Sequence, residues 1–103
     1  LLVSCGSGQA FLFQVLNIYL QELEKIASSN HVIAKSMFQD FISSLGDSFS
    51  QDQNFESLIN KIKSPGGTTQ AGLESLEKNN LDRILQDAFK AAEDRSIEIS
   101  NEK

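Results

Sequence analysis

An all-α domain of roughly five helices is what this 103-residue sequence predicts. Three observations carry that expectation. Apolar residues recur at spacings of three, four and seven along most of the chain. No alternating apolar–polar run exceeds three or four residues, so a half-buried strand has no support. The breaks between periodic stretches hold cap and turn residues: Ser28-Ser29-Asn30, Gln51 to Asn54, Ser64 to Gly67, and Asn79-Asn80.

The first helix is expected from about Gln9 to Ser28. Phe11, Val15, Ile18, Tyr19, Leu23 and Ile26 repeat with helical spacing, and Leu12, Phe13, Leu16 and Leu20 fall on neighbouring faces. Its first half is therefore apolar nearly all round, which requires burial on more than one side. A chain of 103 residues has little material for that, so a second copy of the chain is the expected cover. Ser28-Ser29-Asn30 supplies a break and an N-cap for a second helix, about His31 to Phe49, with Ile33, Met37, Phe38, Phe41, Ile42, Leu45 and Phe49 as its apolar stripe. Met37 and the phenylalanines through Phe55 read as core packing rather than as cofactor contacts. Gly46 is expected to mark a bend. A short third helix carries Leu58, Ile59 and Ile62 and must end near Lys63, because the residue before Pro65 avoids the α region. A fourth begins at Thr68 or Thr69 and runs to about Lys78, with Leu73 and Leu76 inward. Asn79-Asn80 suits a left-handed helix stop, and Asn80 is also a candidate cap for the fifth helix. The fifth helix carries Leu81, Ile84, Leu85, Ala88, Phe89, Ala92 and Ile99, with Asp82 in its favourable first turn. Glu93, Asp94, Glu98 and Glu102 with Arg95 and Lys103 read as a solvated face, and the last residues from Ser100 are expected to fray.

Composition excludes several function classes. Fourteen acidic against nine basic side chains leave a formal charge of −5, which argues against nucleic acid as a partner. One Cys excludes an internal disulfide and a Cys-rich zinc site, and fits a reducing compartment. No apolar run is long enough to span a membrane. Leu2 to Cys5 match a lipoprotein cleavage pattern loosely, but without a basic region ahead of them. The abrupt apolar start reads instead as a cut inside a larger protein. No metal-binding spacing is present, and His31, the only His, suits a helix start better than catalysis.

Two stretches are candidates for chemistry. In Ser64-Pro65-Gly66-Gly67-Thr68-Thr69, the two glycines leave bare backbone and a helix starts at once. Its first amides lack intrahelical partners, and two hydroxyls stand at the positive end of the dipole. That arrangement suits a carboxylate or phosphate, while a plain N-cap after a turn is the alternative. Ser4 to Gly8 forms a second Gly/Ser loop ahead of a helix. It lacks the Gly-Lys-Ser/Thr ending of a P-loop and the third Gly of a dinucleotide fingerprint. Together the loops suggest one shared pocket.

The residues at 64–69, followed by Ala71-Gly72-Leu73 and Leu76-Glu77, resemble the signature of the pyrroline-5-carboxylate reductases. Cys5 to Phe11 is similar to that family's Ser-Gly-Ser-Gly-Pro-Ala-Tyr segment, and Leu85 to Ser96 to its closing helix. Gln9 departs from the family's Pro, Asn54-Phe55 from a common His-Pro, Asn60 from a frequent Asp and Asn79-Asn80 from Gly-Gly. The resemblance implies that residues 1–103 are the C-terminal dimerisation and substrate domain, without the N-terminal Rossmann domain that binds NADPH or NADH. It implies an interlocked homodimer, with rings such as decamers above it, in the cytoplasm. The reaction implied is hydride transfer to 1-pyrroline-5-carboxylate, giving L-proline at the end of proline biosynthesis, with this chain inactive by itself. Ser64, Gly66, Gly67, Thr68 and Thr69 would hold the substrate, with the Thr69 hydroxyl on the ring nitrogen as the catalytic group. Gly6, Ser7, Gly8 and Ile62 would lie at the cofactor's edge. A non-catalytic helical dimerisation module, or a carboxylate-binding remnant, is the alternative.

Overall fold

Where the apolar periodicity breaks, the backbone stops being helical, and the reasons are local. The computed structural model describes residues 6–27 and 30–102. Among them stand five helices and no strand: α1 (Gly8–Ile26), α2 (His31–Gln51), α3 (Phe55–Ile62), α4 (Thr68–Lys78) and α5 (Leu81–Asn101). Ser4, Cys5, Ser28, Ser29 and Lys103 lie outside the described residues. So do the lipoprotein-like pattern and any pairing of Cys5 with His31.

Caps set the boundaries. The Asn30 side chain accepts the Ile33 N–H at 3.1 Å and opens α2. Asn54 does the same for α3, accepting the Ser57 N–H at 3.0 Å. Lys63 closes α3 in an extended conformation (φ −74°, ψ 143°), two residues before Pro65. Asn80 takes the left-handed conformation (φ 59°, ψ 48°) between α4 and α5, without using its side chain as a cap. α2 runs through Gly46 to Gln51, two residues past the expected Phe49. The tail does not fray as expected either: α5 continues to Asn101. Arg95 bridges Glu98 at 2.9 Å and Glu102 at 3.3 Å there, which ties the last turn together.

The helices group into two units. One takes Leu1–Asn17 and Glu74–Lys103. In it Phe11 of α1 meets Phe89 of α5 edge to face, with ring centroids 5.1 Å apart. Leu85, Ala88 and Ala92 of α5 are half-buried there. The other takes Ile18–Leu73. Tyr19 of α1 stacks on Phe41 of α2 at 5.5 Å and lies 6.5 Å from Phe38. Phe49 and Phe55 stack at 4.8 Å across the α2–α3 connection.

Expected core and observed core differ. Ala34 is the one fully buried apolar side chain among the described residues. Met37 is 50% exposed, Phe41 and Phe49 are only partly covered, and Phe55 is open, so these rings pack on each other without forming an interior. Leu73 is half-buried, but Leu76 faces out. Leu12 and Phe13, on the all-round apolar half of α1, are more than half exposed. The stripes are real, but one copy lacks the second layer that would bury them.

Asp52 joins α2 to α3. Its carboxylate accepts the Ser57 hydroxyl at 2.6 Å, the Asn54 N–H at 3.1 Å and the Lys61 ammonium at 3.1 Å. The Ser57 hydrogen bond, then the Asn54 amide, then Lys61 hold its pKa down at about 2, below an ordinary 3.8. The helix start of α3 therefore rests on a charged carboxylate.

Two outcomes follow from these features. Sedimentation velocity at micromolar concentration is expected to show a dimer, since Leu12, Phe13, Met37 and Phe55 stay open in one copy; a well-folded monomer would contradict this. Because the folded pKa of Asp52 is depressed, its contribution is complete above the ordinary carboxylate value and is lost as pH falls through about 2. The Asp52 carboxyl 13C signal should titrate near that value, and Asp52→Asn should flatten the loss of stability between about pH 4 and 2. A midpoint near 4 would remove the basis for this.

Candidate functional site

Pro65 and the two glycines after it dictate the loop between α3 and α4. The Gly67 N–H donates to the Ser64 carbonyl at 3.1 Å, closing a four-residue turn. Pro sits at its second position, where a φ near −65° is needed, and Gly66 at its third with φ +72°. That is a type II turn, which demands a left-handed third residue. The Ala71 N–H then donates to the Gly67 carbonyl at 3.1 Å, the first bond of α4. Gly67 is therefore the N-cap, and Thr68 and Thr69 occupy the first two helical positions.

This turn decides which backbone donors are free. The Gly67 N–H is used inside it. The Gly66 N–H donates to the Gln70 side-chain carbonyl at 2.8 Å. The Thr68 and Thr69 amides have no acceptor among the described residues. Both threonines are exposed, so their hydroxyls and amides face the same solvent-filled space at the positive end of α4. Ser64 closes over the cap: a Cβ built on Gly67 would lie 2.7 Å from the Ser64 Oγ and 3.2 Å from its carbonyl oxygen. Gly67 is thus required by the close approach of Ser64, and Gly66 by its backbone angle.

One turn therefore brings together Ser64, Gly66, Gly67, Thr68 and Thr69, and fits a small carboxylate by neutral donors alone. No Arg or Lys lies between Ser64 and Thr69. The expectation that the Gly67 amide contributes directly is not matched, since that N–H is engaged. Ile62 ends α3 just before the turn and is 73% exposed. Gly6 and Ser7 form a wide helical turn ahead of Gly8, in the unit that contains α5. A Cβ on Gly6 would meet nothing within 4 Å, so open space lies beside that backbone.

Sequence reasoning missed Gln70 and Asp52. Gln70 stands three residues after the N-cap, the spacing at which a Gln or Glu side chain reaches back to a free N–H. Asp52 gave no such signal, because its partners lie two, five and nine residues ahead.

Comparison with known proteins is consistent along the chain. A family model described as pyrroline-5-carboxylate reductase dimerisation matches residues 1–99. A pyrroline-5-carboxylate reductase of Staphylococcus aureus (strain COL) is 38% identical over 96 residues, covering 93% of this chain and 35% of the relative. The reductase of Staphylococcus saprophyticus is 33% identical over 97 residues, covering 94% and 36%. That of Staphylococcus haemolyticus is 34% identical over 95 residues, covering 92% and 35%. The chain thus spans about a third of the length of the curated relatives it matches. No solved structure matches it significantly.

The turn itself is testable by stability. Gly66→Ala should cost about 1 kcal/mol through its backbone angle alone, since open space surrounds the position. Unchanged chemical denaturation of the variant would show that the turn does not hold a positive φ.

Proposed function

The chain belongs to the pyrroline-5-carboxylate reductase dimerisation family, and from that premise we propose that it is the dimer-forming, substrate-holding part of an enzyme that reduces 1-pyrroline-5-carboxylate to L-proline. The observation that carries this reading is the Ser64–Thr69 turn, which leaves two adjacent amides free at a helix N-terminus beside three hydroxyls.

In this reading the substrate carboxylate accepts the Thr68 and Thr69 N–H groups. The Ser64 hydroxyl donates beside them, and Gly66 and Gly67 keep side chains out of the way. The Thr69 hydroxyl faces the ring nitrogen. Holding the carboxylate fixes the five-membered ring, so one face of the imine carbon is presented for attack. When bound, a reduced nicotinamide would supply the hydride to that carbon. The C=N bond becomes CH–NH, and the nitrogen takes one proton. A neutral hydroxyl is a weak acid, so Thr69 serves as a relay from solvent more than as a proton source.

The exposed Ile62 side chain fits an apolar edge against a nicotinamide ring, and Gly6, Ser7 and Gly8 are read as a further edge of the cofactor's site, with open space beside Gly6. The dinucleotide seat is assigned to a separate N-terminal domain, so this chain alone is assigned no turnover. The choice between NADPH and NADH belongs to that domain. The open apolar stripes support homodimer formation, with larger rings built from dimers. No helix among the described residues is long and apolar enough to cross a membrane, which agrees with a cytoplasmic place for such a reductase.

In the full-length reductase, Thr69→Ala should lower kcat/KM by roughly tenfold to a hundredfold, and Thr69→Ser should keep most of it. Steady-state kinetics with 1-pyrroline-5-carboxylate decide the matter. Wild-type kinetics in the Ala variant would remove Thr69 from the reaction.

A further inference from the structure

The Ser64–Gly67 turn has a built-in alternative, and one side chain opposes it. Type I and type II turns differ in the orientation of their central peptide, which here joins Pro65 to Gly66. A Gly at the third position resists a flip of that peptide very little, because it adopts either sign of φ. The N–H of this peptide is the group that donates to Gln70 Oε1 at 2.8 Å. Gln70 sits at the third position of α4 and reaches past the Gly67 N-cap to the residue before it.

The two orientations have different consequences for an anion. With the Gly66 N–H held by Gln70, the Pro65 carbonyl oxygen is turned to the opposite side. A flip would exchange the two groups. The carbonyl oxygen would then point toward the first turn of α4, against Gln70 Oε1 and beside the free Thr68 and Thr69 amides. An oxygen there repels a carboxylate and competes for its donors.

We propose that Gln70 is a positioning residue: by accepting the Gly66 N–H it locks the Pro65–Gly66 peptide in the type II orientation and so keeps the Thr68 and Thr69 amides clear for the substrate carboxylate. This rests on the reading of the loop as the carboxylate seat. Gln70 acts through the backbone and has no part in hydride or proton transfer.

The test uses the full-length reductase and two readouts. In Gln70→Leu, the KM for 1-pyrroline-5-carboxylate should rise roughly fivefold to tenfold, the scale of one lost hydrogen bond. Its kcat and the KM for the nicotinamide should stay within about twofold. Amide hydrogen exchange at Gly66 should speed up in the same variant. Gln70→Glu keeps an acceptor on the same stem and should leave the Gly66 amide protected. Faster exchange in the Leu variant without a change in the substrate KM would overturn the proposal. So would a parallel loss of kcat and of both affinities, which is the mark of a merely structural role. Thr68→Pro removes one of the two free amides at the first helical position, where proline is tolerated; if it leaves the KM for 1-pyrroline-5-carboxylate unchanged, the carboxylate reading itself fails, whatever Gln70 does to the Gly66 amide.

Discussion

A helix with an apolar stripe needs a second surface to cover it, and in this chain the stripes of the five helices stay largely open. Ala34 is the consequence: among the described residues it alone is fully buried, while Leu12, Phe13, Met37 and Phe55 stay half open or more. The aromatic side chains respond by packing in small groups, Phe11 on Phe89 in one unit and Tyr19 with Phe38 and Phe41 in the other. Such pairs order the rings without removing them from water. Membership of a dimerisation family agrees with this state of the single chain.

The Ser64–Thr69 turn offers neutral backbone donors and hydroxyls rather than charge. The chain carries a net charge of −5, and an anion near it gains nothing from the general field. Local dipoles are what remain. The turn commits the Gly67 N–H to Ser64 and the Gly66 N–H to Gln70, and leaves the next two amides. Neutral donors of this kind keep their character across the working pH range, and they match the two oxygens of a carboxylate.

Much of this was legible in the residues. The Ser28-Ser29-Asn30 break and Pro65 announce their boundaries because capping and the pre-proline restriction act within three residues, whereas Asn54 reads only as part of a polar connection and proves to cap α3. Asn80 announces its left-handed turn for the same reason. The signature at 64–69 is equally local, and it led to the family before any fold was in view. Assignments failed where the cause was not local. The stripes of α1 and α2 show which residues avoid water but not what covers them. The carboxylate of Asp52 gathers partners from the next helix, and Gln70 bonds a turn that its own spacing only hinted at.

The sequence by itself therefore determined the helices, their stops and the candidate carboxylate seat, since each depends on the φ/ψ limits of Pro, Gly and Asn or on a periodicity of 3.6. Only the tertiary structure decided which apolar residues remain open, which of the four turn amides are engaged and which are free, and that a charged Asp52 holds the start of α3. Burial and hydrogen-bond pairing depend on the distance between atoms in space, and a pattern along the chain does not contain that distance.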